Sequence, residues 1–178
     1  MQEKDFSQGE IACTAFFTGH RNLSGDSIPL LSEKLYQCIL LAYKAGYRRF
    51  LCGCARGFDM LAAFQTFRLR EQYPDVIMSA VIPCAVQADR WNEKDSETYH
   101  MILSQADEKI VLSPVYYQGV MLARNRYMAD RSSLCICYLV HMRGGTASAV
   151  RYALIHDRIR IVNLAAGDEY KTDLLREN

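Results

Sequence analysis

The 178-residue chain predicts a single α/β domain built on a mostly parallel sheet of about six strands. Two observations carry that expectation. Short apolar runs bounded by glycine or proline alternate with longer segments of helical spacing, the pattern of linked βαβ units. Half of the residues are hydrophobic and 23% are charged, with no repeat, low-complexity tract or linker. A chain of this length buries roughly 70% of the surface its unfolded form exposes, enough for one core without disulfides or a structural metal. The domain is taken as residues 1–178 with its core at about 11–164, and residues 1–9 and the polar end from Gly167 are expected to be loose.

The first apolar run, Ile11 to Phe17, reads as a strand ending in Thr18, Gly19, His20 and Arg21. Beyond Pro29, the residues Leu31, Leu35, Cys38, Ile39 and Ala42 recur at helical spacing, and Gly46 supplies a stop. Phe50 to Cys52 is a second strand, broken at Gly53, and Phe58 to Leu69 is a helix apolar nearly all round and therefore buried. Val76 to Ile82 is a third strand, stopped by Pro83, and a helical stripe follows through Tyr99, Ile102, Leu103 and Ala106. Ile110 to Leu112 is a short fourth strand, and Val120 to Met128 has helical spacing. Leu134 to Val140 is uninterrupted apolar chain, as expected of a central strand covered on both faces. Gly144 and Gly145 then break the chain before a final helix at Val150, Ala153 and Leu154 and a last strand from Ile159 to Leu164.

Composition narrows the function. Twenty-one Lys and Arg against 20 Asp and Glu give a net charge of +1, which disfavours a nucleic-acid partner, without excluding one, and a polybasic membrane anchor. No run approaches the ~18 apolar residues of a spanning helix, and Met1 to Asp5 do not open a signal peptide, so no membrane partner and a cytoplasmic location are expected. Of the seven cysteines, Cys13, Cys52, Cys135 and Cys137 fall in predicted strands and Cys38 in a helix. The Cys52/Cys54 and Cys135/Cys137 pairs lack the Cys-x-x-Cys turns of zinc sites, so buried thiols, no metal and no cofactor are expected. A homo-oligomer stays open.

In open parallel sheets ligands bind beyond the carboxyl ends of the strands. Those ends are polar and glycine-rich here: Thr18, Gly19, His20, Arg21 and Asn22; Gly53, Arg56, Gly57, Phe58 and Asp59; Pro83, Gln87 and Trp91; and Gly144, Gly145, Thr146 and Ser148. Gly144-Gly145-Thr146 permits close backbone approach to a phosphate at a helix N-terminus, with the Thr146 and Ser148 hydroxyls alongside. The same residues serve equally as a tight turn with Thr146 as its cap. Gly53 and Gly57 flank Arg56, a side chain suited to bidentate phosphate contact. No Gly-Lys-Ser/Thr loop and no Gly-x-Gly-x-x-Gly after the first strand is present, so ordinary NTPase and dinucleotide-dehydrogenase readings fall; without a Gly-x-Ser-x-Gly elbow, so does the serine hydrolase.

The remaining candidates each have two roles open to them. His20 is a ligand contact or a turn residue; Asp59 is a ribose acceptor or general base, or a favourable charge at a helix N-terminus. Asp59 and His20 are the candidate catalytic groups. Trp91 stacks on a base or fills a seam. Asn125, beside the Met121–Met128 stripe, satisfies a loop carbonyl or touches ligand, and Arg124, Arg126 and Asp130 read as ordinary surface charges.

Taken in order, Thr18-Gly19-His20-Arg21, Gly53 with Gly57-Phe58-Asp59 and Ala62-Ala63, Tyr73-Pro74-Asp75, Ile82-Pro83-Cys84 with Gln87 and Trp91, Arg124 to Met128 with Asp130, and Gly144-Gly145-Thr146 resemble the YpsA-like branch of the SLOG superfamily over about residues 11–164. The resemblance implies a Rossmann-like three-layer sandwich whose strand-end loops bind nucleotides or nucleotide-derived, ADP-ribose-like molecules, in a sensing or regulatory role. Relatives include the Lonely Guy phosphoribohydrolases, which release a base from a nucleoside monophosphate, and DNA-processing proteins that bind single strands. The phosphoribohydrolase motif Pro-Gly-Gly-x-Gly-Thr-x-x-Glu is incomplete here: Arg143 replaces the proline, the segment before Thr146 is shortened, and Ala149 stands where the catalytic glutamate would be. Asp59 would have to supply that carboxylate. Ligand binding is therefore ranked above N-glycosidic hydrolysis. A single-strand nucleic-acid module, using Arg124, Arg126, Arg131 and Arg143, is the third expectation.

Overall fold

A computed structural model of the chain describes residues 6–23 and 27–165. The elements run α1 (Gln8–Ala12), β1 (Thr14–Gly19), α2 (Ile28–Lys44), β2 (Arg49–Cys52), α3 (Phe58–Gln72), β3 (Ile77–Ile82), α4 (Glu93–Gln105), β4 (Glu108–Val111), α5 (Val120–Asp130), β5 (Leu134–Tyr138), α6 (Gly144–Leu154) and β6 (Arg160–Asn163). The six strands form one sheet in the order β4-β3-β2-β1-β5-β6, and every neighbouring pair is parallel. The strand order reverses direction between β1 and β5, which opens a crevice there at the carboxyl edge.

Side chains alternate across the sheet and so sort the helices into two layers. Ala15, Phe17, Phe50, Cys52, Met78, Leu134, Ile136 and Tyr138 face Leu35 and Ile39 of α2, Ala62 and Leu69 of α3 and Ile102 of α4. On the opposite face Phe16, Leu51, Val81, Cys135 and Cys137 meet Met128 of α5 and Val150 and Ala153 of α6. The fold is thus a Rossmann-like three-layer sandwich. Among the described residues no helix is long and apolar enough to cross a membrane.

The N-terminus corrects the expected boundary. Residues 8–12 are helical rather than loose or extended: Ser7 and Glu10 form a reciprocal capping box, and Phe6 and Ile11 pack into the second layer. Cys13 is therefore a half-buried helix end, not a strand residue. Residues 1–5 and the tail from Gly167 lie outside the described residues. The expected central strand at 134–140 ends at Tyr138 and stands one place in from the β6 edge, while β1 and β2 hold the centre. Gly144 and Gly145 do not break the chain but begin α6, so Thr146 is not its cap.

Candidate functional site

Four chain segments converge beyond the carboxyl ends of β1, β2 and β5. Thr18, Gly19, His20, Arg21, Ala55, Asp59, Met121, Arg124, Asn125, Arg143, Gly144, Gly145 and Thr146 line one cleft of about 230 Å³.

Two glycines allow the first two segments to touch. Gly57 has φ +81°, and a Cβ there would lie 2.3 Å from the Arg21 carbonyl oxygen. A Cβ on Gly19 would meet Phe58 at 2.4 Å. The segments are tied by the Phe58 amide, which donates to the His20 carbonyl at 3.2 Å, and Phe58 itself stacks on Tyr138. The roles of Gly19, Gly57 and Phe58 are thus in packing the cleft wall.

The floor is a buried ion pair. Arg124 and Asp59 are 7% and 3% exposed, with Arg124 Nη1 3.6 Å from Asp59 Oδ2. Asp59 does not face solvent at the start of α3; its carboxylate turns back to accept the Ala55 amide at 3.3 Å. Burial pushes its pKa up from 3.8 to about 6, with Arg124, the Ala55 amide and Arg21 pulling the other way. Arg124 Nε and Nη1 have no hydrogen-bond partner among the described residues. A buried guanidinium with unfilled donors facing a cleft is costly unless something accepts from it. Gly53 makes room for it, because a Cβ at that position would fall 1.3 Å from Nη1.

The opposite wall is the start of α6. Its N-cap, Arg143, makes no side-chain cap bond, and Gly144, with φ +80°, and Gly145 have open space around them. The amides of the first helical turn lack acceptors within the helix and present partial positive charge. Asn125 donates to the Gly145 carbonyl at 3.5 Å while lining the cleft, so it both holds α6 and faces the cavity. His20 Nε2 accepts the His141 amide at 3.2 Å, leaving Nδ1 to carry the proton of the neutral ring. Burial, then the neighbouring His141, lowers its pKa.

The remaining sequence candidates lie outside the cleft lining. Arg56 reaches instead to Asp95 at 3.4 Å and over the Trp91 ring at 5.6 Å, and Trp91 packs edge-on against Tyr99. Gln87 donates to the Gly53 and Cys54 carbonyls, both at 3.2 Å, and holds the loop after β2. Pro83 is buried and Ser148 is half-buried on α6. Gln87→Ala, which strips those two carbonyls of their donor, is expected to cost about 1–3 kcal/mol in denaturant unfolding.

Arg124, expected as an ordinary surface charge or as part of a basic strand-binding patch, is instead 7% exposed and paired with Asp59, and the signal for that burial was present in the sequence. Arg124 lies four residues after Val120, three after Met121 and four before Met128, on the stripe that drew attention to Asn125. Among the described residues no group of three or more His, Cys, Asp or Glu is placed to hold a metal ion.

A fully parallel Rossmann-like sheet with a cationic cleft at its switch point defines the class. Within it, the YpsA family model, described as the YspA SLOG family, matches residues 16–157, and the chain belongs to that family. It is 30% identical over 78 residues to the UPF0398 protein YpsA of Bacillus subtilis, covering 43% of each chain, and 30% identical over 91 residues to a UPF0398 protein of Bacillus velezensis, covering 49% of this chain and 50% of that one. The chain spans about half the length of these curated relatives. Among solved structures it resembles DNA processing protein A of Streptococcus pneumoniae (TM-score 0.62, 18% identity, 90% of this chain and 54% of that one). DNA processing protein A of Helicobacter pylori, described for its single-stranded DNA binding mode, is similar too (TM-score 0.60, 17% identity, 95% and 75%).

Proposed function

We propose that the cleft binds a phosphorylated, nucleotide-derived small molecule, ADP-ribose-like compounds included, in a sensing or regulatory role. One observation carries this reading: a buried arginine with unfilled N–H groups faces the same cavity as an uncapped helix N-terminus. Phosphate oxygens suit the Gly144, Gly145 and Thr146 amides together with Arg124 and Arg143. Asp59 supports the sugar end, where an ionised carboxylate accepts from ribose hydroxyls.

A thermal-melt panel of nucleoside mono- and diphosphates, dinucleotides and ADP-ribose tests the proposal. At a hundred times its Kd a ligand adds about 2.7 kcal/mol, which for this size is a rise of roughly 5–10 °C. Melting indifferent to the whole panel contradicts the reading.

Two alternatives have support of their own. Hydrolysis of an N-glycosidic bond is favoured by the Asp59 carboxyl, whose pKa burial pushes up to about 6 inside the cleft and which when ionised stabilises cationic sugar character. It predicts free base and ribose 5-phosphate from a nucleoside monophosphate, lost in Asp59→Asn. Single-stranded DNA binding is favoured by exposed Arg21 and Arg143 at the cleft and by what the Helicobacter pylori neighbour binds. It predicts low-salt gel shifts that weaken steeply with salt.

A further inference from the structure

The cleft is smaller than the molecule proposed to occupy it. Its volume, about 230 Å³, falls below the ~300–1,000 Å³ of pockets that enclose a drug-sized ligand. A phosphorylated sugar fits such a space; a base attached to that sugar has to lie at the mouth. The tryptophan that the sequence offered for stacking is not there, because Trp91 is packed on Tyr99 beneath Arg56.

Another aromatic pair stands on the loop that leads into α5. The loop between β4 and α5 leaves the carboxyl edge of the sheet and enters the helix whose Met121, Arg124 and Asn125 line the cleft. It carries Tyr116 and Tyr117, 63% and 48% exposed, and neither ring has an aromatic or cationic partner among the described residues. Tyr117 sits one turn before Met121, and its carbonyl accepts the Val120 amide at 3.1 Å, the first bond leading into α5. The loop is built rather than slack: Ser113 Oγ donates to the Val115 carbonyl at 2.7 Å and accepts the Val115 amide at 3.2 Å, and the Ala85 amide donates to the Ser113 carbonyl. Two large, flat, exposed rings on a pinned loop that leads directly into a cleft-lining helix match the needs of a nucleobase, whose π-face stacks on aromatic side chains.

We infer that Tyr116 and Tyr117 form a base-stacking subsite at the mouth of the cleft, so that the ligand is a base-bearing nucleotide rather than a bare sugar phosphate. The inference rests on the proposed phosphate-binding role of the cleft. Because the rings lie outside the core, changing them leaves the fold and the phosphate contacts in place.

Calorimetric titration of the full chain with adenosine 5′-monophosphate and, separately, with ribose 5-phosphate separates the two claims. The nucleotide is expected to bind at least about tenfold more tightly, in keeping with the strength of base–aromatic stacking. The double variant Tyr116→Ala/Tyr117→Ala, with unchanged melting temperature, brings the nucleotide down to the affinity of ribose 5-phosphate and leaves the latter unaltered; the Tyr→Phe pair retains the preference. Equal affinities in the unaltered protein, or a preference that survives the alanine pair, overturn the subsite while leaving the cleft reading intact. Binding of neither compound overturns both.

Discussion

Gly57→Ala is expected to destabilise the protein by about 4 kcal/mol and to lower its melting temperature by roughly 10 °C or more. Two costs combine. The backbone at this residue has φ +81°, a region that L side chains rarely adopt and that costs on the order of 1–3 kcal/mol to impose on them. The new methyl also falls 2.3 Å from a main-chain oxygen, that of Arg21, and backbone cannot swing aside as a side chain can. Relief requires the loops after β1 and β2 to part, which stretches the bond from the Phe58 amide to the His20 carbonyl and withdraws His20 and Arg21 from the cleft wall. Gly46→Ala serves as the control. Its φ is +102° with nothing within 4 Å, so it carries the conformational cost alone and is expected to lose only about 1–2 kcal/mol. Equal losses in the two variants would show that the loops do not touch as described.

The second large effect is a pH-dependent one at Arg124. In the unfolded chain Asp59 titrates near 3.8, and in the folded protein at about 6. Between those values the folded state holds more protons, so this group subtracts stability as pH rises through the window, and the loss levels off above 6. Removing Arg124 takes away the charge that most restrains the rise. In Arg124→Met the folded pKa moves above 6 and the decline continues further up the scale. At pH 5, where Asp59 is protonated in either protein, the substitution costs little, because it also removes donors that lack partners. At pH 8 it is expected to cost about 3 kcal/mol, the scale of stranding one member of a buried pair. Urea titrations at the two values measure this directly. Adding Asp59→Asn to Arg124→Met is expected to abolish the pH dependence, and a decline that persists in the double variant would assign it elsewhere.

The sheet was legible because its strands are short apolar runs, stopped at positions such as Gly53 and Pro83 and followed by stretches of helical spacing, a pattern that needs no tertiary information. α1 was not, since Gln8 to Ala12 is too brief for a periodic stripe and is defined by a capping box whose worth depends on Phe6 and Ile11 finding the second layer. In the cleft, glycines and loop positions could be read from the strand ends. The direction of long side chains could not: Arg56 and Arg124 look equally available in sequence, yet one turns to Asp95 and the other is drawn beneath Gly53 to Asp59. What admits Arg124 is the missing Cβ of Gly53, 71 residues earlier in the chain, a relation no local pattern records.

Nuclear magnetic resonance titration with ribose 5-phosphate, reading backbone amides and arginine Nε–H groups together, bears most directly on the claim that this cleft holds a phosphate. The largest shifts should fall at the amides of Gly144, Gly145 and Thr146 and at Arg124 Nε–H, saturating along one binding curve. Saturable shifts confined to residues away from the α6 N-terminus, or a spectrum that does not change at millimolar ligand, would contradict it.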